Sequence, residues 1–321
     1  MAQSSRPAAP SLRILSYNVR YFGHGTRGLA STRKAVIRIA QAIANLEPLP
    51  SIVCLQEVET CSIRSTVAHR GTETQLERFT GMLSAELAAA GKPDAYAAYY
   101  FPAHAYRLSA RTYVYTTGLA VLAHESFAVD HHNAKTPHDI THRRLQPIRR
   151  FKQTRICAHI RFRDRSPRSR GTIDVFNTHL SLPSTLTRAF WTQPRRMGWG
   201  PNQLEEARNL ARFVERERTS DRFVVVGDFN ALPGSPVYRF LVEERGWIDA
   251  FAHRYRMSID ELASWPTAGF FQMRMHLDHV FAGPGLRWLD FDGTLPFGDR
   301  TGPFHGLSDH IPMVARCRVA R

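Results

Sequence analysis

The chain has 321 residues, 43% of them hydrophobic and 22% charged, which is the composition of a folded protein long enough for one large or two small domains. No stretch approaches the ~18 consecutive apolar residues of a membrane span, and nothing ahead of the first strand-like segment has the apolar core of a secretion signal, so a cytoplasmic address is expected. The net charge of +15 suits polyanions such as nucleic acid or an anionic membrane surface, although charge alone does not identify a function.

Only four of the 43 basic residues are lysine, so the charge is carried almost wholly by arginine, whose planar donor fork suits phosphate. The four cysteines, Cys54, Cys61, Cys157 and Cys317, are scattered and form no C-x-x-C pair. They read as buried thiols, which excludes a disulfide scaffold and a zinc ribbon.

Residues 1–11 are rich in Ser, Pro and Ala and read as a tail, with a single domain expected over 12–321. From Leu12 onward short β-type runs alternate with helical periodicity: strand over Leu12–Val19, helix over Arg33–Leu46, strand over Ser51–Val58 and helix over Thr74–Ala90. Further strands are predicted at Thr112–Leu122, Gln153–Phe162 and Thr172–Leu180, the last two joined as a hairpin through turn-rich 163–171. A helix over Asn202–Arg218 leads into the apolar strand Phe223–Val226, and Leu277–Ala282 and Met313–Val319 complete the set. The irregular stretches Asp130–Lys152 and Ser181–Pro201 are long enough to be functional loops, and substrate contacts are expected there.

Polar residues stand where these apolar strands end. Asn18 follows Leu-Ser-Tyr, and Glu57 follows the run through Leu55-Gln56; alone, the first reads as a turn former and the second as a surface acid. Asn177 and His179 lie two apart on one strand, so both side chains leave the same face. Val224-Val225-Val226-Gly227 runs into Asp228 and Asn230, again two apart, and an acid at the end of a buried strand must be solvated, paired or bound to a cation. Leu277-Asp278-His279 and Ser308-Asp309-His310 complete the constellation.

In chain order the motifs LSYNV, LQEV, GLAVL, NTHL, GDFN, LDHVF and SDHIP resemble those of the endonuclease/exonuclease/phosphatase superfamily of metal-dependent phosphoesterases, over essentially Leu12 to Val319. The resemblance implies an α/β fold: a four-layer sandwich of two face-to-face mixed β-sheets flanked by helices. It also implies that Asn18, Glu57 and Asp309 hold a metal, and an oxygen set with few protein ligands suits Mg²⁺, with Mn²⁺ as a substitute. By the same resemblance Asp228 and Asn230 orient the attacking water and contact phosphate. His179 binds a phosphate oxygen with Asn177 beside it, and Asp278 holds His310 in position. Hydrolysis of a phosphodiester needs an in-line oxygen nucleophile, charge neutralisation and help for the leaving oxygen, and either Asp228 or His310 could take the water's proton.

One departure stands out. Deoxyribonuclease I-like members carry a glutamate beside the residues matching Gly118-Leu119-Ala120-Val121, and this chain has Leu119 there. A close deoxyribonuclease I analogue is therefore not expected.

For the substrate, the basic run from His142 through Arg149, Arg150 and Lys152 to Arg155 could track a phosphate backbone and favours a nuclease acting on DNA or RNA. The segment from Phe190 to Trp199 sets Trp191 and Trp199 beside arginines. That pattern suits base stacking, a packed loop, or the interface of a membrane bearing a lipid phosphoester. A non-catalytic nucleic-acid-binding module is disfavoured, because Glu57, Asp228, His179 and His310 are all present.

Overall fold

The computed structural model describes residues 11–22, 29–59, 74–92, 96–107, 113–142, 154–165, 171–183, 197–270 and 272–320. In chain order these form β1 (Leu12–Asn18), α1 (Leu29–Ala44), β2 (Ile52–Glu59), α2 (Gln75–Ala89), β3 (Tyr96–Arg107), β4 (Tyr113–His124), β5 (Phe127–His132), β6 (His138–Asp139), β7 (Ile156–Asp164) and β8 (Thr172–His179). There follow α3 (Pro201–Glu217), β9 (Phe223–Asp228), α4 (Pro236–Arg239), β10 (Ile248–Asp249), α5 (Ala250–Tyr255), α6 (Ile259–Ser264), β11 (Ala268–Phe270), β12 (Met273–Met275), β13 (Asp278–Ala282), β14 (Leu286–Asp290) and β15 (Met313–Val319).

Two mixed sheets result. The first has the order β14-β15-β1-β2-β4-β3, the second β10-β13-β9-β8-β7-β5 with β6 also on β7. Each has one parallel pair, β1 with β2 and β8 with β9, flanked by antiparallel partners. The wholly buried runs of β1 and β9 are what a strand covered on both faces requires.

Alternation along β1 sends Leu12 and Ile14 between the sheets, while Leu15 and Tyr17 face α1 and α2. On α1 the buried Val36, Ile39, Ala40 and Ile43 follow helical spacing and close that outer face. Helix α2 begins at a capping box in which Thr74 accepts from the Glu77 amide and Glu77 accepts from the Thr74 amide. On the far side α3 lays Ala207, Leu210, Ala211 and Val214 on the second sheet. The four layers are helices, sheet, sheet and helix, and each fully buried Leu, Ile or Phe contributes ~1.5–3 kcal/mol.

Sequence periodicity missed several elements. β3 and β14 are the edges of the first sheet, and β3 carries Pro102 and the run Tyr-Ala-Ala-Tyr-Tyr in place of clean alternation, which an edge strand tolerates. The short strands β5 and β6 lie within or beside the stretch read as irregular from Asp130. α1 begins at Leu29, four residues before the expected start. Cys54, Cys157 and Cys317 are free and buried as expected, and Cys61 lies outside the described residues.

Candidate active site

The parallel pairs bring their C-terminal ends to one rim of the sandwich. In the second sheet His179 is in register with Asp228, and Asp228 with Asp278, so β8, β9 and β13 carry a row of three functional side chains across adjacent strands. Gly227, one residue earlier, has φ +147°, and a Cβ there would stand 1.9 Å from the carbonyl oxygen of Thr178, so only glycine lets β8 and β9 come this close.

Across the gap β1 supplies Asn18, whose Nδ2 donates to Asp228 Oδ2 at 3.1 Å, a bond between the two sheets. β2 supplies Glu57 from a bulge, where the pairing with β4 shifts register between Leu55 and Val58 and Glu57 takes φ +54°. Arg20 and Asn230 also have positive φ, so strained backbone gathers at this rim.

The side chains form one network. Asp228 Oδ1 accepts from the Asn230 amide at 2.9 Å, and Oδ2 faces His179 Nε2 at 3.4 Å and His310 Nε2 at 3.6 Å. His310 Nδ1 is 2.8 Å from Asp278 Oδ2, which fixes the ring orientation. The Asn230 side-chain amide donates to the Leu180 carbonyl at 3.0 Å and lies 3.2 Å from His179 Nε2. Glu57 Oε1 faces His179 Nε2 at 3.9 Å, beyond hydrogen-bond range. Ser308 Oγ donates to the Asn18 carbonyl at 2.8 Å and pins the loop bearing Asp309 and His310 against β1.

Burial sets the charge states. It raises Glu57, and it pushes Asp228 up to about 7 with help from Asp278 and Glu57 and against the pull of His310. His179 is held well below the imidazole range by burial, then by Arg155 and His310. Burial alone would lower His310, but the carboxylates of Asp278 and Asp228 outweigh it and push it up to about 10. Four carboxylates, Glu57, Asp228, Asp278 and Asp309, converge here, and a cation could bind among their oxygens.

Eight of the residues singled out from sequence, Asn18, Glu57, His179, Asp228, Asn230, Asp278, Asp309 and His310, meet at this rim. Asp309 is ion-paired with Arg20 at 2.6 Å, and Asn18 Oδ1 accepts from the Arg20 amide at 3.0 Å. Among the described residues, ligand atoms of Asp228, Asp278 and His310 also lie within 4.8 Å of one another.

Asn177 is not open to the rim. It shares the face of His179 as expected but sits one pleat deeper, fully buried between the sheets. There its Oδ1 accepts from Gln56 Nε2 at 2.7 Å and its Nδ2 donates to the carbonyls of Leu55 and Ala120. It fastens the sheets beneath the site. Arg149, Arg150, Lys152 and Trp191 lie outside the described residues, and Trp199 is 47% exposed.

Three contributors escaped sequence reasoning. Arg20 carries no signal beyond its place after Asn18, and Gln56 looked like a strand residue of no consequence. Thr267 accepts from the amides of Leu277 and Asp278 and sets the start of β13 from a hairpin that periodicity did not reveal. Beside His310 a cleft of ≈ 400 Å³ opens, lined by Arg274, Phe297, Arg300, Phe304 and His305. The Arg274 guanidinium lies over the Phe297 ring at 5.0 Å.

Residues 15–310 match the Endonuclease/Exonuclease/phosphatase family. The chain belongs to this family. No curated protein matches it. Among solved structures, the human Nocturnin catalytic domain with bound sulfate is similar over 97% of this chain and 94% of that one, at 17% identity and a TM-score of 0.61. ANGEL2, a 2′,3′-cyclic phosphatase in complex with adenosine-2′,3′-vanadate, matches 97% of this chain and 96% of that one at 16% identity and TM-score 0.58. A mannosyl-6-phosphatase from Bacteroides thetaiotaomicron matches 97% and 100% at 16% identity and 0.55.

The phosphoesterase therefore shares a fold with proteins whose substrates differ. Endonuclease/Exonuclease/phosphatase members generally depend on a divalent metal, and the oxygen-rich rim, with a partly buried carboxylate on strained backbone at Glu57, fits such an ion. No helix among the described residues is long and apolar enough to cross a membrane.

Proposed function

We propose that the protein is a Mg²⁺-dependent phosphodiesterase that cleaves DNA or RNA, with Mn²⁺ as a competent substitute. The observation that carries this reading is the row His179, Asp228 and Asp278 with His310 above it, bordered by arginines. Arg155, the described arginine of the basic run, has its Nε 3.3 Å from Ser181 Oγ and acts electrostatically on both Glu57 and His179. Arg20 sits on Asp309, and Arg274 and Arg300 line the cleft next to His310. A ring of guanidinium groups around a hydrolytic centre suits a substrate with phosphates on both sides of the scissile one.

Glu57, with Asn18 and Asp309, would hold the cation, which when bound supplies charge neutralisation on the phosphate and the leaving oxygen. Asp228, held by the Asn18 amide and the Asn230 N–H, orients the attacking water and takes its proton. His310, locked by Asp278, offers Nε2–H to the phosphate oxygens as charge builds. His179 and Asn230 complete the contacts on the opposite side. The adenosine-2′,3′-vanadate held by ANGEL2 supports a nucleotide substrate for this architecture, whereas the mannosyl-6-phosphatase supports a small phosphoester.

A panel of plasmid, single-stranded and abasic DNA, RNA, sphingomyelin and phosphoinositide vesicles and bis(p-nitrophenyl) phosphate, with and without Mg²⁺, tests the proposal. Nucleic-acid cleavage that EDTA abolishes is expected. Neutralising Arg149, Arg150 and Lys152 together should then lower the log–log salt slope of binding by up to ~2–3. Replacing Trp191 or Trp199 by Ala should weaken single-stranded substrates most, since stacking is worth ~1–3 kcal/mol per base. Hydrolysis confined to lipid vesicles, or to small soluble phosphoesters, would overturn the nuclease reading in favour of that class.

A further inference from the structure

A second group of metal-binding side chains lies on the outer face of the second sheet, beneath α3. Asp174, beside this group, is five residues from His179 on β8, roughly 16 Å along the strand, and points to the opposite face. His131 on β5, His159 on β7 and Glu217 at the end of α3 each offer a ligand atom within 4.8 Å of the other two. Nothing in the phosphoesterase mechanism uses them.

His159 is the informative member. Its ring is wholly buried and stacks on Phe176 at 4.4 Å. Its Nε2 lies 2.8 Å from Asp174 Oδ1, an oxygen that also accepts from Arg161 Nε at 2.8 Å, while Asp174 Oδ2 accepts from the amide and hydroxyl of Thr219, both at 2.9 Å. A carboxylate surrounded by donors can only accept, so Nε2 carries a proton, and in the neutral imidazole Nδ1 keeps a bare lone pair. That Nδ1 is buried and has no hydrogen-bond partner. A buried acceptor without a partner needs a ligand, and a histidine whose other nitrogen donates to a carboxylate is the arrangement that raises ligand basicity and fixes orientation at metal centres.

Two features select the ion. Glu217 is the last residue of α3, where the helix carbonyls favour a cation. Two guanidinium groups oppose it, since Arg161 Nη2 donates to the Glu217 carbonyl at 2.8 Å and Arg216 Nε to Glu217 Oε1 at 2.8 Å. An ion that relies on net negative charge, such as Mg²⁺ or Ca²⁺, is disfavoured there. One that gains from imidazole nitrogen is not.

We propose that His131, His159 and Glu217 form a zinc site with one open position for water, tying the end of α3 to strands β5 and β7. Contraction from the observed spacing to the roughly 3.3 Å ligand edge of a tetrahedral zinc shell falls to His131, which is exposed, and Glu217, which is partly so; His159 stays in place. The exposed His131 also gives the ion its way in.

The test uses the full chain carrying Glu57→Gln and Asp228→Asn together, which remove two carboxylates of the rim site, alone and combined with His131→Ala or Glu217→Gln. Zinc bound after dialysis against Zn²⁺ in excess Mg²⁺ is counted by native mass spectrometry, and melting is followed with and without Zn²⁺. Loss of one bound zinc and of the zinc-dependent rise in Tm in both combined variants is expected. In the native background, His131→Ala and Glu217→Gln should keep Mg²⁺-supported hydrolysis within about twofold. Equal zinc content and equal melting response with and without His131 and Glu217 would overturn the proposal, and would leave His159 Nδ1 protonated toward Glu217 as the account of this group.

Discussion

Glu57 and His310 occupy opposite positions in the chemistry of the rim. Glu57 is a partly buried acid, raised in pKa, on a bulge with φ +54°, a conformation that costs ~1–3 kcal/mol and persists because the surrounding strands impose it. If it holds the cation, Glu57→Gln should lower hydrolysis by ~10²-fold or more while keeping the side-chain shape, with partial recovery at raised Mg²⁺. EDTA-resistant activity in the unmodified protein would refute that role. His310 contacts Asp278 at 2.8 Å, and under the proposed mechanism the two should behave as one unit. Loss of either should be severe, and the double alanine variant should be little worse than His310→Ala alone; a rate deficit equal to the product of the single losses would show independent roles. Most of these residues were legible in the sequence because their motifs fall together in the family's order, whereas Asn18 or Glu57 alone reads as a turn former or a surface acid. Asn177 shows the limit of that argument. Its face was correct, but depth along a strand is set by the partner sheet, and only the structure reveals that Gln56 and two carbonyls engage its amide.

At the level of elements, the apolar strands and long amphipathic helices were readable, since their periodicities record burial on one face or both. The edge strands and the β11–β12 hairpin were not, because three-residue strands and half-exposed edges leave little periodic record. The turn carrying Trp199 is held by a single fully buried side chain at the start of α3. Gln203 Nε2 donates to the carbonyls of Ser181 and Asn230, both at 2.8 Å, and its Oε1 accepts from the amides of Gly198 and Gly200. Gln203→Leu would leave four buried backbone groups unpaired, at ~1–3 kcal/mol each before relaxation. A loss of about 3 kcal/mol or more in urea unfolding is expected, together with weaker substrate binding, because Asn230 loses its support. Unchanged stability would show that water or neighbouring groups replace the amide.

Across the whole molecule, acid stability should be governed partly by a histidine away from the reacting atoms. His276 is fully buried, with Nδ1 2.6 Å from the Trp265 carbonyl, and burial, reinforced by His279, holds it down to about 4 against an ordinary 6.5. A histidine depressed in the folded state contributes stability that is complete above its unfolded pKa and is lost as pH falls through the folded one. The window is therefore pH 6.5 to 4 and the loss on the order of 3 kcal/mol. Glu57 and Asp228 are raised and act with the opposite sign, so the contrast between the native chain and His276→Phe isolates the histidine. The variant should show a flatter fall of Tm across that window, and parallel curves would exclude His276 as the source.

The bond from Ser308 to the Asn18 carbonyl joins residues 290 positions apart, and β15 enters the first sheet between β14 and β1. Closure over so long a loop is entropically costly and comes late, because it rewards the chain only once the intervening strands are in place. During synthesis the ribosome therefore releases Asn18, Glu57, His179 and Asp228 well before Asp309 and His310 exist to join them. A nascent chain carries most of the rim's side chains and no assembled centre until the last strand is drawn in.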